Sequence, residues 1–483
     1  MALKAAAETH PLSFEPYTLT PLDWVNLPIH VPLVFVFTPP SIPAGVEALE
    51  HGISRLVAQL PFLAGNVVLH PGNGGSVEPP SDKYLEEDPV IRIETHPQSI
   101  SIIHEPNFGF NDSLSSDTFL PIPMSLNVKE ISPVIRFCIN VMTDGLILCI
   151  SIHHAAMDGL GVMNIVRMIG LCCASPGKPR LPVSPLTEAS VRARLSNIST
   201  DGSFMDMQSY GPDHWSQSRL ISCEFLFSAK RIRQLGILCN VALKQSCLEK
   251  DAGNGDRKSV NELSTSDVFS ALLWLCTTRA RSRAQLLSPP SNTYATETTR
   301  LGVAVSIRDI RDILKPPIPL TYLGNAMVVA SDTHVRHEME APRATTATSI
   351  DKDEVLVLAN LASKVRHTIQ VVDGHYVRQV VRHIKASQDC QDASFYFPDT
   401  FVTNLRLLDL RQWDFGPVLG QIVNFDHLET RINGLCSIHP RCGGTSGESP
   451  WKVRVNLEPE AMDRLRGDAL IRWAAEKDTA CKL

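Results

Sequence analysis

"CISIHHAAMDGLG", residues 149–161, carries an apolar run into two adjacent histidines and, four positions after the second, an aspartate followed by glycine. The runs "VIRFCINVM" (134–142) and "LILCISIHH" (146–154) have strand composition, and Thr143-Asp144-Gly145 between them is a hairpin signal. Apart from Ser151 the second run is apolar on both faces, so it is expected deep in a sheet. From Gly159, "GLGVMNIVRMIGLCCA" has helical spacing, with Val162, Ile165, Val166, Ile169 and Leu171 expected on the inner side. His153 and His154 therefore stand where a buried strand turns into a helix, and strand alternation sends them to opposite faces.

A histidine at such a strand end can act as a general base, because an ordinary pKa of about 6.5 lets it accept a proton at neutral pH. Asp158 has two candidate jobs: to orient the imidazole directly, or to hold the turn by pairing with a distant cation. The tight turn and the following Gly159 favour the second. Chelation of a metal by His154 and Asp158 would need a helix through both and a third ligand, and no residue at a recognisable spacing supplies one, so no metal is expected. A plainer reading competes: two satisfied core histidines and a capping aspartate. The residues alone leave both open.

Working outward, Leu33–Phe37 reads as a strand between prolines, and residues 42–60 as an amphipathic helix stopped by Pro61. Residues 66–70 and 90–95 read as further strands. Residues 174–220, rich in Pro, Ser and Arg, look like a long crossover between two halves. Beyond it, 228–244 and 264–284 read as helices, the second with Ser264 or Ser266 as N-cap, while 300–308 and 324–334 read as strands. The polar stretches 249–262 and 344–354 are expected as loops. "GNGDRKS" (253–259) has Arg257 where a phosphate loop needs glycine, and "GGTSGES" (443–449) lacks the nucleophile-elbow spacing.

With 483 residues, 43% apolar, 20% charged and a formal charge of −6, the chain is long enough for two or three domains. No dense Lys/Arg block is present, which argues against nucleic acid or an anionic membrane as partner. The opening "MALKAAAETHPLSFEPYTL" has no apolar signal-peptide core. The most apolar stretch, 134–175, is broken by Asp144, the two histidines, Asp158 and Arg167, so no membrane span is expected. Twelve cysteines without CxxC pairs are expected as reduced thiols, mostly in the core, of a cytoplasmic protein.

"HHAAMDG" resembles the HxxxDG signature of the BAHD acyltransferases, which move an acyl group from a coenzyme A thioester to an alcohol or amine. "DFGPVLG" (414–420) resembles that family's second signature, DFGWG. Between them, residues 264–281 look like its Ser-x-x-Asp helix and "VSIRDIRDILKPPIPLTYLGN" (305–325) like its Arg, Pro-Pro and Tyr-x-Gly-Asn segment. "LTPLDWVNLPIHVPLVFVF" (19–37) and "LEHGISRLVAQLPFLAGNVV" (49–68) look like its opening. The resemblance covers nearly the whole chain, in order, and is strongest to fungal secondary-metabolite O-acetyltransferases of the kind that acetylate trichothecenes.

What the resemblance implies is an α/β fold of two similar domains, each a mixed β-sheet flanked by helices, with a channel at their interface, as in chloramphenicol acetyltransferase. Residues 1–185 would form the domain carrying HHAAMDG, 186–222 a crossover, and 223–483 the domain carrying DFGPVLG. His154 would be the general base, and Asp158, pointing away from the substrate with Gly159 behind it, would pair with Arg308. In "VTNLRLLDL" (402–410), Thr403 would be the oxyanion donor, with Leu405 where the family has tryptophan. Pro417 and Val418 replace the Trp-Gly of the second signature, so Asp414, Phe415 and Gly416 are expected as structural support. Acetyl-CoA or another acyl-CoA would be a co-substrate, with no permanent cofactor, and the partners would be a small acceptor alcohol or amine; the protein is expected as a monomer. Two alternatives keep the fold: a condensation-type transferase fed by a carrier protein, and a small-molecule binding protein without turnover.

Overall fold

The computed structural model describes residues 13–70, 74–100, 104–105, 109–110, 118–122, 131–175, 177, 179–199, 220–251, 262–285, 298–340, 346, 349–387, 398–428, 432–441 and 449–475. Residues 252–261 of the expected loop at 249–262, most of "GGTSGES" and residues 200–219 of the crossover lie outside them; residues 249–251 and 352–354, expected as loop, are instead the last turn and the first turn of helices. No helix among the described residues is long and apolar enough to cross a membrane.

The strand Leu146–His153 is buried along its whole length because both faces of its sheet are covered, Leu148, Ile150 and Ile152 by the large core and Ile147 and Cys149 by a small one. It pairs antiparallel with His30–Phe37 on one edge and with Ile135–Val141 on the other, and Ile91–Thr95 then extends the sheet in parallel. The expected hairpin is present. Met142 N–H donates to Gly145 O at 3.0 Å, and Asp144 Oδ1 accepts from Ile100 N–H at 2.7 Å. A side chain at residue 145 would put its Cβ 2.6 Å from Phe37 O, so the turn needs glycine.

The helices Ile42–Gln59 and Gly159–Ala174 pack together over this sheet. Val162, Ile165, Val166 and Ile169 are buried as expected, but Leu171 is 39% exposed. Nine positions after Val162, it has rotated to the opposite side of the helix.

A second sheet orders its strands Ile221–Phe227, Trp451–Leu457, Leu435–Ile438, Thr400–Asn404, Thr298–Ser306 and Met327–Val335. Its core is covered by the helices Ala229–Asp251, Thr265–Gln285 and Lys352–Gln370, with Trp274 fully buried between them and the sheet. Ser264 and Asp267 cap the middle helix reciprocally: Ser264 Oγ accepts from Asp267 N–H at 3.2 Å, and Asp267 Oδ2 accepts from Ser264 N–H at 2.7 Å. The eight cysteines whose side chains are described are free, and all of these but Cys173 are buried.

The halves are interleaved. Asn424–His427, late in the chain, is the edge strand of the first sheet, with Phe425 opposite Phe35 and His427 opposite Leu33. The helix Gly374–Ala386 also buries Val377, Val380, Val381 and Ile384 in the first core. Part of the stretch expected as crossover is a helix, Pro185–Ser196, started by Ser184 Oγ accepting from Thr187 N–H at 3.2 Å.

Candidate active site

His154 is the first residue past the end of its strand, and its backbone N–H is still tied to Ile29 O at 2.8 Å. The ring folds back so that Nδ1 lies 3.2 Å from Met157 O. A carbonyl only accepts, so the proton sits on Nδ1 and Nε2 keeps its lone pair. Burial holds this imidazole below its ordinary pKa, outweighing the opposing pull of its backbone hydrogen bonds and Asp158, and the ring is neutral at neutral pH. His153 faces away, fully buried and edge-on to the His30 ring at 5.1 Å. Neither of its ring nitrogens has a hydrogen-bond partner among the described residues, and burial pushes its pKa down strongly.

Asp158 makes no hydrogen bond to the ring; it caps the following helix and anchors a loop from the other half. Its carboxylate accepts four hydrogen bonds: Gly161 N–H at 2.8 Å, Ala326 N–H at 2.9 Å, and Arg308 Nη1 and Nη2 at 2.8 and 3.0 Å. Arg308 also donates to the carbonyls of Tyr322, Gly324 and Ala326 at 2.9, 3.0 and 3.3 Å. Both side chains are almost wholly buried, which is tolerable because the pair is bidentate and its remaining polar atoms are largely bonded. Asn325 completes the clamp, donating to His154 O at 3.0 Å and to Asp23 Oδ1 at 2.9 Å while accepting from Asn26 Nδ2 at 2.7 Å.

The glycine that this geometry requires is Gly161. A Cβ there would fall 2.0 Å from Leu323 O, whereas one at Gly159 would make an ordinary 3.4 Å contact with Leu405 Cδ2. That contact places Leu405 against the first turn of the helix that follows His154.

The second sheet lays a polar row toward the same region. Thr403 pairs with Ser437, Ser437 with Arg454, and Arg454 with Glu224, so their side chains share the face turned away from the second core. From the first sheet, Asp426 meets Arg454 at 2.6 and 3.2 Å, and His427 Nδ1 lies 3.1 Å from Ser437 Oγ. Lys452 pairs with Glu224 at 2.9 Å. Although burial favours its neutral form, the Asp426 carboxyl is held well below the usual range by Arg454 and Lys452. Glu224, Asp426 and His439 are the one grouping with metal-ligand proximity among the described residues. Two cations already balance its two carboxylates, so it serves as an ion network fastening the exchanged strand to the second sheet.

Asp414, Phe415 and Gly416 lie elsewhere. Phe415 packs on Phe37, with ring centroids 4.9 Å apart, and against Gly170; Gly416, at φ +87°, sits where a Cβ would fall 2.7 Å from Ala174 Cα. This is the far end of the Gly159–Ala174 helix, roughly 17–23 Å along its axis from the turn that follows His154.

Sequence reasoning singled out His154, Asp158, Arg308 and Thr403, and quoted Asn325 only within its motif. It missed Gly161 and His427. A two-sheet fold with a histidine at the end of a buried strand, its turn clamped by a loop from the second half, defines a class: the two-domain acyltransferases with an HxxxDG centre. A sequence profile of the trichothecene 3-O-acetyltransferase-like N-terminal domain matches residues 29–173. Communesin N16 acyltransferase cnsK of Penicillium expansum is 31% identical over 96% of this chain and 99% of its own. Fumigaclavine B O-acetyltransferase easN of Aspergillus fumigatus is 27% identical over 97% and 99%. Among solved structures, TRI101 of F. sporotrichioides, crystallised with coenzyme A and T-2, superposes with a TM-score of 0.67 at 18% identity over 94% of this chain and 98% of that one. Vinorine synthase superposes at 0.63 with 14% identity over 97% and 95%. The chain belongs to the fungal secondary-metabolite branch of the BAHD acyltransferases.

Proposed function

We propose that the protein transfers an acetyl group from acetyl-CoA to a hydroxyl or amine of a fungal secondary metabolite, with His154 Nε2 as general base. The observation that carries this reading is the contact of Nδ1 with Met157 O, which places the proton on Nδ1 and leaves Nε2 as an acceptor. An alcohol attacks a thioester too slowly unless its proton leaves as the bond forms, and a positioned imidazole contributes about 10²–10⁴-fold. Asp158 and Arg308 position the turn, and Thr403 is the candidate donor to the oxyanion. The relatives named above as an N16 acyltransferase and an O-acetyltransferase support both amine and alcohol as acceptor classes, and the neighbour crystallised with coenzyme A supports that donor. We take 1–185 and 223–483 as the two domains, with Asn424–His427 exchanged between them.

The test is thiol release from acetyl-CoA, malonyl-CoA and a longer acyl-CoA across hydroxylated terpenoids and indole alkaloids, beside His154→Ala. Release that needs both the acceptor and His154 supports the reading. Release unchanged in His154→Ala overturns the role of His154, and tight acceptor binding with no release from any donor overturns the CoA-dependent transferase.

A further inference from the structure

His427 is a second imidazole at this centre with a different kind of anchor. It lies on the exchanged strand opposite Leu33, and its Nδ1 meets Ser437 Oγ at 3.1 Å. Ser437 is the sheet partner of Thr403, so the ring stands beside the strand that carries the candidate oxyanion donor. Its row continues across Leu33 to Ile150, and strand alternation puts its side chain on the same face of the first sheet as His154. Burial is the main cause that pushes the His427 pKa down to about 4; Asp426 opposes it, and Arg454 and His154 add to it. The ring is therefore uncharged at neutral pH.

The two rings suit opposite roles. His154 is bonded to a carbonyl, which forces its Nε2 to be an acceptor. His427 is bonded to a hydroxyl, which can donate to Nδ1 and leave the proton on Nε2. One attacking alcohol has one proton to lose, so a second base beside His154 has nothing to accept, whereas a neutral N–H donor is what the other half of the reaction lacks. Neutrality matters here. His154 becomes an imidazolium as the bond forms, and a charged neighbour would oppose that step, while an uncharged donor stabilises the oxyanion without the repulsion.

We propose that His427 is a catalytic residue of the transfer, donating Nε2–H to the oxygen of the thioester carbonyl as it becomes an oxyanion, with Ser437 donating to Nδ1 to fix the tautomer. The acceptor oxygen bonds to the carbonyl carbon, its proton passes to His154 Nε2, and the C=O π pair moves onto the oxygen held by His427. Collapse of that pair reforms C=O and breaks C–S, and the departing thiolate takes the proton back from His154. His427 keeps its own proton throughout.

This rests on the acyltransferase reading above and is tested on the full chain with His427→Ala, His427→Asn and Ser437→Ala, each checked for folding by its thermal melt. Single-turnover rates with acetyl-CoA and a working acceptor are measured, together with the affinities of both substrates and the His427 tautomer by nitrogen NMR. The expected result is a rate loss of about 10²–10³-fold in His427→Ala with both affinities within about threefold, a partial rescue by the asparagine amide, and an acid limb of the pH profile that stays with His154. A proton found on Nδ1 of His427 overturns the proposal. So does an unchanged rate, or a loss confined to acceptor affinity. Wild-type protein that releases no thiol overturns the transferase reading and this one with it, whereas release indifferent to His427→Ala overturns this one alone.

Discussion

Arg308 grips Asp158 with both terminal nitrogens, at 2.8 and 3.0 Å, across 150 residues of sequence and inside a nearly dry interior. The pair joins the turn after His154 to a loop of the other half, so its value lies in position as much as in energy.

Removing one partner strands the other. Asp158→Asn leaves a buried guanidinium without its counter-charge and should cost about 3–5 kcal/mol in a denaturant titration, while Arg308→Lys, which loses the two-pronged geometry, should cost less but still slow transfer. A variant Asp158→Asn as stable as wild type would contradict this account of the clamp.

His154→Ala should behave in the opposite way. The side chain supports little structure, so the melt should hardly move, yet kcat should fall by about 10²–10⁴-fold. Protonation removes the base, so wild-type kcat/KM should rise with pH to a plateau. Because burial lowers the His154 pKa, the midpoint should lie below about 6.5. Asp158 pulls that pKa up, so the active remainder of Asp158→Asn should show its limb at still lower pH.

Two glycines two positions apart should respond differently. Gly161→Ala drives a Cβ into the backbone of Leu323 and should destabilise by about 1–3 kcal/mol, since neither the loop nor the helix can give cheaply. Gly159→Ala meets only Leu405 Cδ2 at contact distance and should stay within about 1 kcal/mol of wild type. Paired thermal melts decide it.

Acid should loosen the fold earlier than a carboxylate count alone would give. His153, His427 and His439 are all held below the ordinary histidine range chiefly by burial, His427 down to about 4. Below a pH of about 6.5 the unfolded chain binds protons that the folded chain refuses, so their contribution is complete above that pH and is lost as pH falls. Urea titrations from pH 7 to 4.5 should show stability declining, and His427→Asn should make the slope shallower by up to one proton.

Leu405, against the first turn after His154, sits where bulk should tell on the acceptor. Leu405→Trp should lower kcat/KM for large polycyclic acceptors by about tenfold or more while sparing small ones, through lost room and not lost chemistry. An unchanged acceptor range would dismiss the idea that leucine is there to make space.

Most of what positions the site was legible because it is local. The turn at Gly145, the buried strand, the cap at Ser264 and the helix from Gly159 each follow from a few neighbouring residues. The helix Pro185–Ser196 carried its own start signal, serine before proline, but the Pro/Ser/Arg composition around it concealed that. Gly161 was hidden for another reason: what forbids a side chain there is Leu323 O, far away in sequence. His427 was hidden too, since "NFDHLE" has no signature and only strand exchange brings it to Ser437. Long-range contacts of this kind leave no spacing to read.

The exchanged strand also sets a clock. His30–Phe37 leaves the ribosome long before the strand that closes its outer edge, which ends at residue 427. At ~5–20 residues per second the nascent sheet that ends in His154 must wait on the order of 15–55 s with an open, strongly apolar border. During that interval the unfinished protein is most exposed to pairing with a neighbour on the same polysome, and the yield of active molecules should depend more on the pace of translation and on chaperones than on the stability of the finished fold.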